Sequence, residues 1–270
     1  MGVAKTREER FGIIQFGFEW DTIDYTERKI VYEGQTVIYY QFVTDGTSNP
    51  IRVVPDGCID LLFCCDEVQP SAKVCGTVLQ GKGVLFYPKT VYFGVRLSTR
   101  LSLLLPGLPL KEVIGVQAPF EDTLVQYAGM CEKIAEGAGF AERIACFERD
   151  CLPLVTGDVR SIGIVDYCLT EMHRTSGGVS IRELAEGSGY SERYLRTMFK
   201  QSLGMSPKLY NRIIRFQRAL DGIVRGGAPL TEVAIERGYF DQAHFMKDFK
   251  AFSQLTPVQL RTRIPKFDTQ

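Results

Sequence analysis

The sequence predicts an α+β protein of two domains: a β-rich N-terminal domain with trailing helices, then an all-α C-terminal domain containing two helix-turn-helix units. Three observations predict it. Residues 11–116 carry short β-branched and aromatic runs broken by glycine, proline and asparagine. From residue 120 onward, apolar residues recur at helical spacing. A capped-helix, glycine-turn, capped-helix pattern near residue 180 returns 49 positions later. At 270 residues and 45% hydrophobic content, the chain can fill two ordinary cores.

The N-terminal runs TVIYYQFV, IRVV, CIDLLFCC, VLFYP and VYFGVRL read as short strands. Asp60 and Arg96 are the charged residues set inside otherwise apolar strands. Burying a charge is costly unless it is paired, so they either form one structural ion pair or point into a polar pocket. Trp20, the single tryptophan, is a candidate pocket wall or a core residue. Residues 120–152 turn helical, with Leu124, Ala128, Cys131 and Ala135 on one stripe and Ile144, Phe147 and Cys151 on the next. The domain boundary is expected near Pro153–Gly157, dividing the chain into residues 1–155 and 156–270. A helix carrying Val165, Leu169 and Met172 opens the second part.

Ser180 and Glu183 form a capping-box pair, Ile181, Leu184 and Ala185 face inward, and Gly187 and Gly189 supply a turn. Ser191 caps the next helix, where Leu195, Met198 and Phe199 share one face and Arg193, Arg196, Thr197 and Lys200 the other. Ile181, Glu183, Leu184, Ala185, Gly189 and Tyr190 recur as Leu230, Glu232, Val233, Ala234, Gly238 and Tyr239. After one inserted residue, Phe240, the series Ser191, Leu195, Phe199 and Lys200 recurs as Asp241, Phe245, Phe249 and Lys250. The two units are placed at about 180–202 and 229–252. Between them Ser206-Pro207 opens a linker helix of about 207–224, closed by Gly226-Gly227. Two reading helices on such a rod could enter successive major grooves of double-stranded DNA. Charge agrees: the formal net charge is zero, yet residues 173–270 hold 16 Lys and Arg against 9 Asp and Glu, a net of +7 that leaves −7 on the rest.

The segment GYFDQAHFMKDFKAFSQLTPVQLR, Gly238 to Arg261, together with the first unit, resembles the DNA-binding domain of the AraC/XylS family of bacterial transcription regulators. Val54-Pro55-Asp56-Gly57-Cys58-Ile59-Asp60-Leu61 resembles the V-P-D-G-C-x-D-L stretch in the N-terminal domain of a subset of that family, and Phe93-Gly94-Val95-Arg96 fits it too. The resemblance implies a DNA partner read through Arg193, Arg196 and Thr197 in the first unit and Ala243, Met246 and Lys247 in the second. Ala243 and Met246 depart from a hydrogen-bonding pattern, since they can touch a thymine methyl but cannot pair with base edges. The first unit is therefore expected to discriminate and the second to position, with Lys200, Lys250, Gln242 and His244 at phosphates. It also implies an N-terminal sensor, in many members a cupin-like barrel, holding a small-molecule effector for which Asp60, Arg96 and Trp20 are the candidates. A homodimer, and RNA polymerase if the protein activates, are the further partners it implies.

No triad, phosphate loop or carboxylate pair supports catalysis, and no metal or other cofactor is expected. The eight cysteines form no C-x-x-C pair and lie away from His173 and His244, the two histidines, so they read as buried thiols, with a sensor at Cys58 or Cys64-Cys65 the alternative. A DNA-repair alkyl-transfer protein would need a zinc-type cysteine cluster that is lacking here. An architectural DNA protein is the other alternative. With no apolar leader at the start and no apolar run of membrane-spanning length, a soluble cytoplasmic protein is expected.

Overall fold

The structure, a computed structural model, describes residues 13–32, 35–47, 49–103, 105, 108, 110–151, 163–225 and 229–264. Helix α1 (Phe16–Trp20) precedes strands β1 (Ile23–Tyr32), β2 (Gln35–Val43), β3 (Ile51–Val53), β4 (Ile59–Cys64), β5 (Ser71–Gly76), β6 (Lys82–Val84), β7 (Val91–Leu97) and β8 (Gln117–Pro119). Six strands form an antiparallel sheet in the order β1-β2-β7-β4-β5-β8, and β3 pairs with β6 separately. The barrel expected from the resemblance is not closed by hydrogen bonds, because among the described residues β1 and β8 are each paired on one side only.

Side chains alternate across a strand, and both faces of this sheet are covered, which is why its central strands read as unbroken apolar runs. On one face Val37, Tyr39, Leu61, Phe63, Phe93 and Val95 pack toward the helices; on the other Tyr40, Phe42, Leu62 and Tyr92 meet Phe18 of α1 and Ile51 of β3. The same alternation puts Asp60 and Arg96 on the second face, directly opposite each other in the β4–β7 register. Gly94 lies beside them, opposite Tyr40 on β2 and Leu62 on β4. A Cβ there would come within 2.1 Å of the Tyr40 ring, so glycine lets that ring lie over β7 and bring its hydroxyl to Asp60.

Short helices α2 (Thr99–Ser102), α3 (Leu110–Val113) and α4 (Phe120–Thr123) follow, then α5 (Met130–Ala135) and α6 (Phe140–Asp150). Phe140 meets Phe93, and Phe147 meets Tyr39, edge-on, closing the first face of the sheet. The remaining helices are α7 (Gly163–Arg174), α8 (Ile181–Ser188), α9 (Glu192–Leu203), α10 (Pro207–Arg225), α11 (Leu230–Glu236), α12 (Gln242–Ser253) and α13 (Pro257–Arg263). The expected boundary at Pro153–Gly157 and the Gly226-Gly227 break lie outside the described residues.

One continuous set of buried apolar residues runs from the sheet into these helices, reaching Phe199, Phe216 and Phe249. Helix α10 is its axis: 19 residues, about 28 Å at 1.5 Å per residue, with Ile213, Phe216, Ala219 and Leu220 fully buried. Polar side chains fasten it to the β-rich part. Gln217, 2% exposed, donates to the Pro55 carbonyl at 2.8 Å and accepts from the Ile14 amide at 3.0 Å. Tyr210 donates to Thr99 Oγ1 at 2.9 Å, and Thr99 donates to the Gly57 carbonyl. Arg100 pairs with Asp166 of α7, and Gln254, just past α12, donates to the Gly81 carbonyl.

A buried polar group stripped of its partner costs more than a hydrogen bond lost from both sides. Gln217→Leu leaves the Pro55 carbonyl and Ile14 amide without their donor and acceptor, and should cost about 2–4 kcal/mol; Tyr210→Phe, which leaves Thr99 bonded to Gly57, should cost about 1 kcal/mol. Urea unfolding followed by circular dichroism measures both. Equal costs would contradict the ranking, and two separated transitions in the parent would contradict a shared core.

Candidate nucleic-acid interface and the cavity beside it

Helix α8 begins at a complete capping box: Ser180 Oγ accepts from the Glu183 amide at 3.1 Å and Glu183 accepts from the Ser180 amide at 2.7 Å. Gly189 ends it at φ 72°, a left-handed conformation that favours glycine, and Gly238 takes φ 73° at the matching place in the second unit. Ser191 Oγ then caps α9 at the Tyr194 amide, 3.2 Å away. Leu195, Phe199 and Leu203 bury one side of α9, and the opposite side exposes Arg193, Arg196, Thr197 and Lys200. Arg193 makes no side-chain hydrogen bond with any described residue. Arg196 is held by Glu192, one turn back, at 2.5 Å, Thr197 Oγ1 donates to the Arg193 carbonyl, and Lys200 donates to the Gly204 carbonyl at 3.0 Å. These last contacts lie at the surface and can be exchanged for a ligand at little cost.

Helix α12 is capped by Asp241, whose Oδ1 accepts from the His244 amide at 2.6 Å, and is anchored by Phe245, Phe249 and Phe252. Gln242, Ala243, Lys247 and Lys250 are exposed. Two expected contact residues are less available. Met246 is half-buried against the core, and His244 turns inward, edge-on to the Tyr239 ring at 5.3 Å with Nε2 3.5 Å from Asp248. Asp248 is itself buried and takes both prongs of Arg212 from α10, at 2.8 and 3.1 Å. This Arg212–Asp248 fork fixes the second unit on the linker helix. Neither residue stood out in the sequence, where only the i, i+4 spacing of His244 and Asp248 hints at it. Phe240, the extra residue of the second unit, is 92% exposed beside the start of α12.

In the β-rich part Asp60 and Arg96 do both things the sequence left open: they pair, and they line a cavity. Arg96 Nε lies 2.9 Å from Asp60 Oδ1 and 3.5 Å from Asp56 Oδ2, and the guanidinium sits 4.9 Å from the centre of the Tyr40 ring. Asp56 is held by the Cys58 amide, Thr77 and Gln15, at 2.9, 3.1 and 2.9 Å. A cavity of about 50 Å³ opens beside these groups, between the large sheet and the β3–β6 pair; another of about 260 Å³ shares Leu62, Val84, Phe86 and Gln117 with it. Trp20 does not line either one and packs on Phe16 instead. Gln15, Tyr40 and Asp56 take part without having been predicted; the V-P-D-G stretch was the available signal. Its Val54 and Asp56 line the cavity while the Pro55 carbonyl between them holds α10.

Burial pushes the Asp60 carboxyl up to about 6, with Arg96 working against the rise and Asp56 adding to it. Burial likewise pushes the Cys65 thiol up to about 11 and Cys58 well above the ordinary range. Those thiols stay protonated, the opposite of what a reactive sensor or an alkyl-accepting cysteine requires. Among the described residues no His, Cys, Asp and Glu cluster could hold a metal ion, and no helix is long and apolar enough to cross a membrane.

Residues 184–263 match the family model of a helix-turn-helix domain. This domain aligns with an uncharacterized HTH-type transcriptional regulator of Haemophilus influenzae, 34% identical over 84 residues, covering 31% of this chain and 28% of that protein. It also aligns with one from Staphylococcus aureus, 30% identical over 98 residues, covering 36% of this chain and 13% of that one. The chain thus spans less than a third of the length of these relatives. Among solved structures, the C-terminal domain of AraT, a response regulator from Geobacillus stearothermophilus, is similar: 29% identity, 41% of this chain, 94% of that one, TM-score 0.38.

A carboxyl whose folded pKa is raised binds its proton more tightly when folded, so it favours the folded state below its unfolded pKa, and that contribution is lost as pH rises through the folded pKa. For Asp60 the window runs from about 3.8 to about 6. The stability of the parent relative to Asp60→Asn should therefore fall between pH 4 and pH 6 and level off above. Thermal unfolding of both proteins across that range measures the difference; a difference that rises with pH would show that pairing with Arg96 outweighs burial.

Proposed function

We propose that the protein is a sequence-specific, DNA-binding transcription regulator that reads a two-part site through its two helix-turn-helix units, under the control of a small molecule held in the β-rich part. The observation that carries the DNA reading is the exposed face of α9, where Arg193, Arg196 and Thr197 stand clear of the core on a helix capped and anchored at both ends. Arginine can pair with both acceptors of a guanine edge, and threonine can offer a methyl or hydroxyl. Helix α12 presents Ala243 and Lys247 with Met246 beneath them, a surface suited to thymine methyls and phosphates. Lys200, Lys250 and Gln242 supply further backbone contacts, while His244 acts as a brace on Tyr239 and Asp248. Phosphate contacts orient the domain and base contacts select the sequence.

Support for control by a ligand comes from the shared use of one loop. Val54 and Asp56 form part of the cavity wall, and the adjoining Pro55 and Gly57 carbonyls hold Gln217 and, through Thr99, Tyr210 on α10. Helix α10 carries one reading unit at each end. A ligand that shifts this loop by a fraction of an ångström changes the seat of the rod, and differential affinity for the two seats is what couples the sites.

Once a binding site has been selected from random DNA, Arg193→Ala or Arg196→Ala should weaken it by about 1–3 kcal/mol and relax the base preference at one position, whereas Lys200→Ala should weaken all sequences alike and reduce the salt slope by about one. Fluorescence anisotropy on specific and scrambled duplexes at several salt concentrations makes the comparison. Equal losses on both duplexes from the arginine variants would defeat the base-reading assignment, and a parent protein with no preference between them would make it an architectural DNA binder.

A further inference from the structure

We propose that Phe240 is a sequence-reading residue of the second unit: together with Ala243 it meets the 5-methyl groups of thymines in the major groove, so that apolar contact selects this half of the site. This rests on the DNA reading above and names the base that α12 takes.

Phe240 has no place in the core. It stands immediately before Asp241, the cap of α12, is 92% exposed and joins none of the buried apolar clusters. A residue just ahead of a cap ordinarily packs on the residue five places further on, which fixes the entry of the chain into the helix. In α12 that residue is Phe245, and its ring is taken by Tyr239 at 5.1 Å and Phe249 at 5.6 Å. The residue inserted in the second unit thus leaves the packing role with Tyr239 and puts the next ring in solvent.

A single exposed ring is ordinary on a protein surface. Here the placement occurs twice. In the first unit Tyr190 stands immediately before Ser191, the cap of α9, and it too is exposed, stacked at 4.8 Å on exposed Tyr194. The partner common to both places is the one that meets the start of each reading helix, which is the duplex. The charges of α12 agree, since Lys247 and Lys250 are exposed one and two turns beyond Ala243, where phosphates would flank the groove.

A phenyl ring carries no hydrogen-bonding donor or acceptor, so it cannot pair with base edges; the apolar mark in the major groove is the thymine methyl. Insertion between base pairs, another use of an apolar side chain on DNA, belongs to proteins that bind the minor groove. Ala243, exposed in the first turn of α12, offers a second apolar contact, and half-buried Met246 extends the same surface.

The test uses the full chain and the site selected from random DNA. Each thymine is replaced in turn by deoxyuridine, which keeps every hydrogen-bonding group and lacks only the methyl. At one or two positions, in the half of the site whose base preference Arg193→Ala leaves intact, the parent should bind about fourfold more weakly, the worth of one buried methyl. Phe240→Ala should lose a similar amount on the thymine site and become indifferent to uracil at one of those positions. Phe240→Leu, still apolar, should keep part of the preference, and both variants should melt with the parent because the ring lies outside the core. A half-site without thymine, a parent indifferent to uracil throughout, or coupling to Phe240 in the half read by Arg193 overturns the assignment. So does Phe240→Ala binding as tightly as the parent, which moves the ring to a protein partner, or weakening thymine and uracil sites equally, which moves it to the DNA backbone. In all of these cases a base preference relaxed by Arg193→Ala leaves the DNA reading standing, whereas a parent that does not distinguish selected from scrambled duplex removes both.

Discussion

A guanidinium with 1% of its surface exposed has to be neutralised where it stands, because solvent cannot do it. Arg96 meets this constraint by a cross-strand partner, Asp60, and by Asp56 from the loop before β4. Each partner imposes a further condition. Asp60 needs the Tyr40 hydroxyl, which needs a ring lying over β7, which needs a glycine at position 94. Asp56 needs Gln15, Thr77 and the Cys58 amide, and so fixes the course of the V-P-D-G loop. The surrounding structure depends on that loop.

The loop is where the β-rich part and the helical part become one body. Its carbonyls at Pro55 and Gly57 are buried and would be unsatisfied without Gln217 and the Thr99–Tyr210 pair. Gln217 and Tyr210 lie two turns apart on α10, so the loop sets both the position and the rotation of that helix. Further contacts, Arg100 with Asp166 and Gln254 with Gly81, bring α7 and the end of α12 to the same surface. The helix that separates the two reading units is thereby also the helix that the cavity wall touches. Under the proposed control by a ligand, a change in the cavity that moves the loop acts on both units through this one helix.

The two units differ in a way that fits unequal roles. On α9 the outward residues are long and charged, held by exchangeable surface contacts with Glu192 and the Gly204 carbonyl. On α12 the positions matching the two arginines hold the small Ala243 and the half-buried Met246, Lys247 and Lys250 stay exposed, and the histidine leans on Asp248. The Arg212–Asp248 fork gives the second unit a firm seat on α10. A firmly seated unit with few hydrogen-bonding side chains suits orientation, and a cationic, exposed face suits discrimination.

The α+β class, with strands first and helices after, was legible from periodicity alone, because apolar alternation and helical stripes are local properties that a single strand or helix must satisfy. The helix starts at Ser180, Ser191 and Asp241 were legible for the same reason: a cap is a contact between residues three apart. Charge at Asp60 and Arg96 announced that something would have to neutralise it. Only the tertiary structure decided that the partners also include Asp56 and Tyr40, that Trp20 stands away from the cavity, that His244 faces Asp248, and that one core joins the strands to the helices. Apart from Trp20 on Phe16 and His244 on Asp248, each four residues apart, those outcomes depend on contacts between residues 20 to more than 200 positions apart, such as Gln217 with Ile14. Sequence spacing carries no record of such contacts, since they are selected by the packing of whole faces against each other.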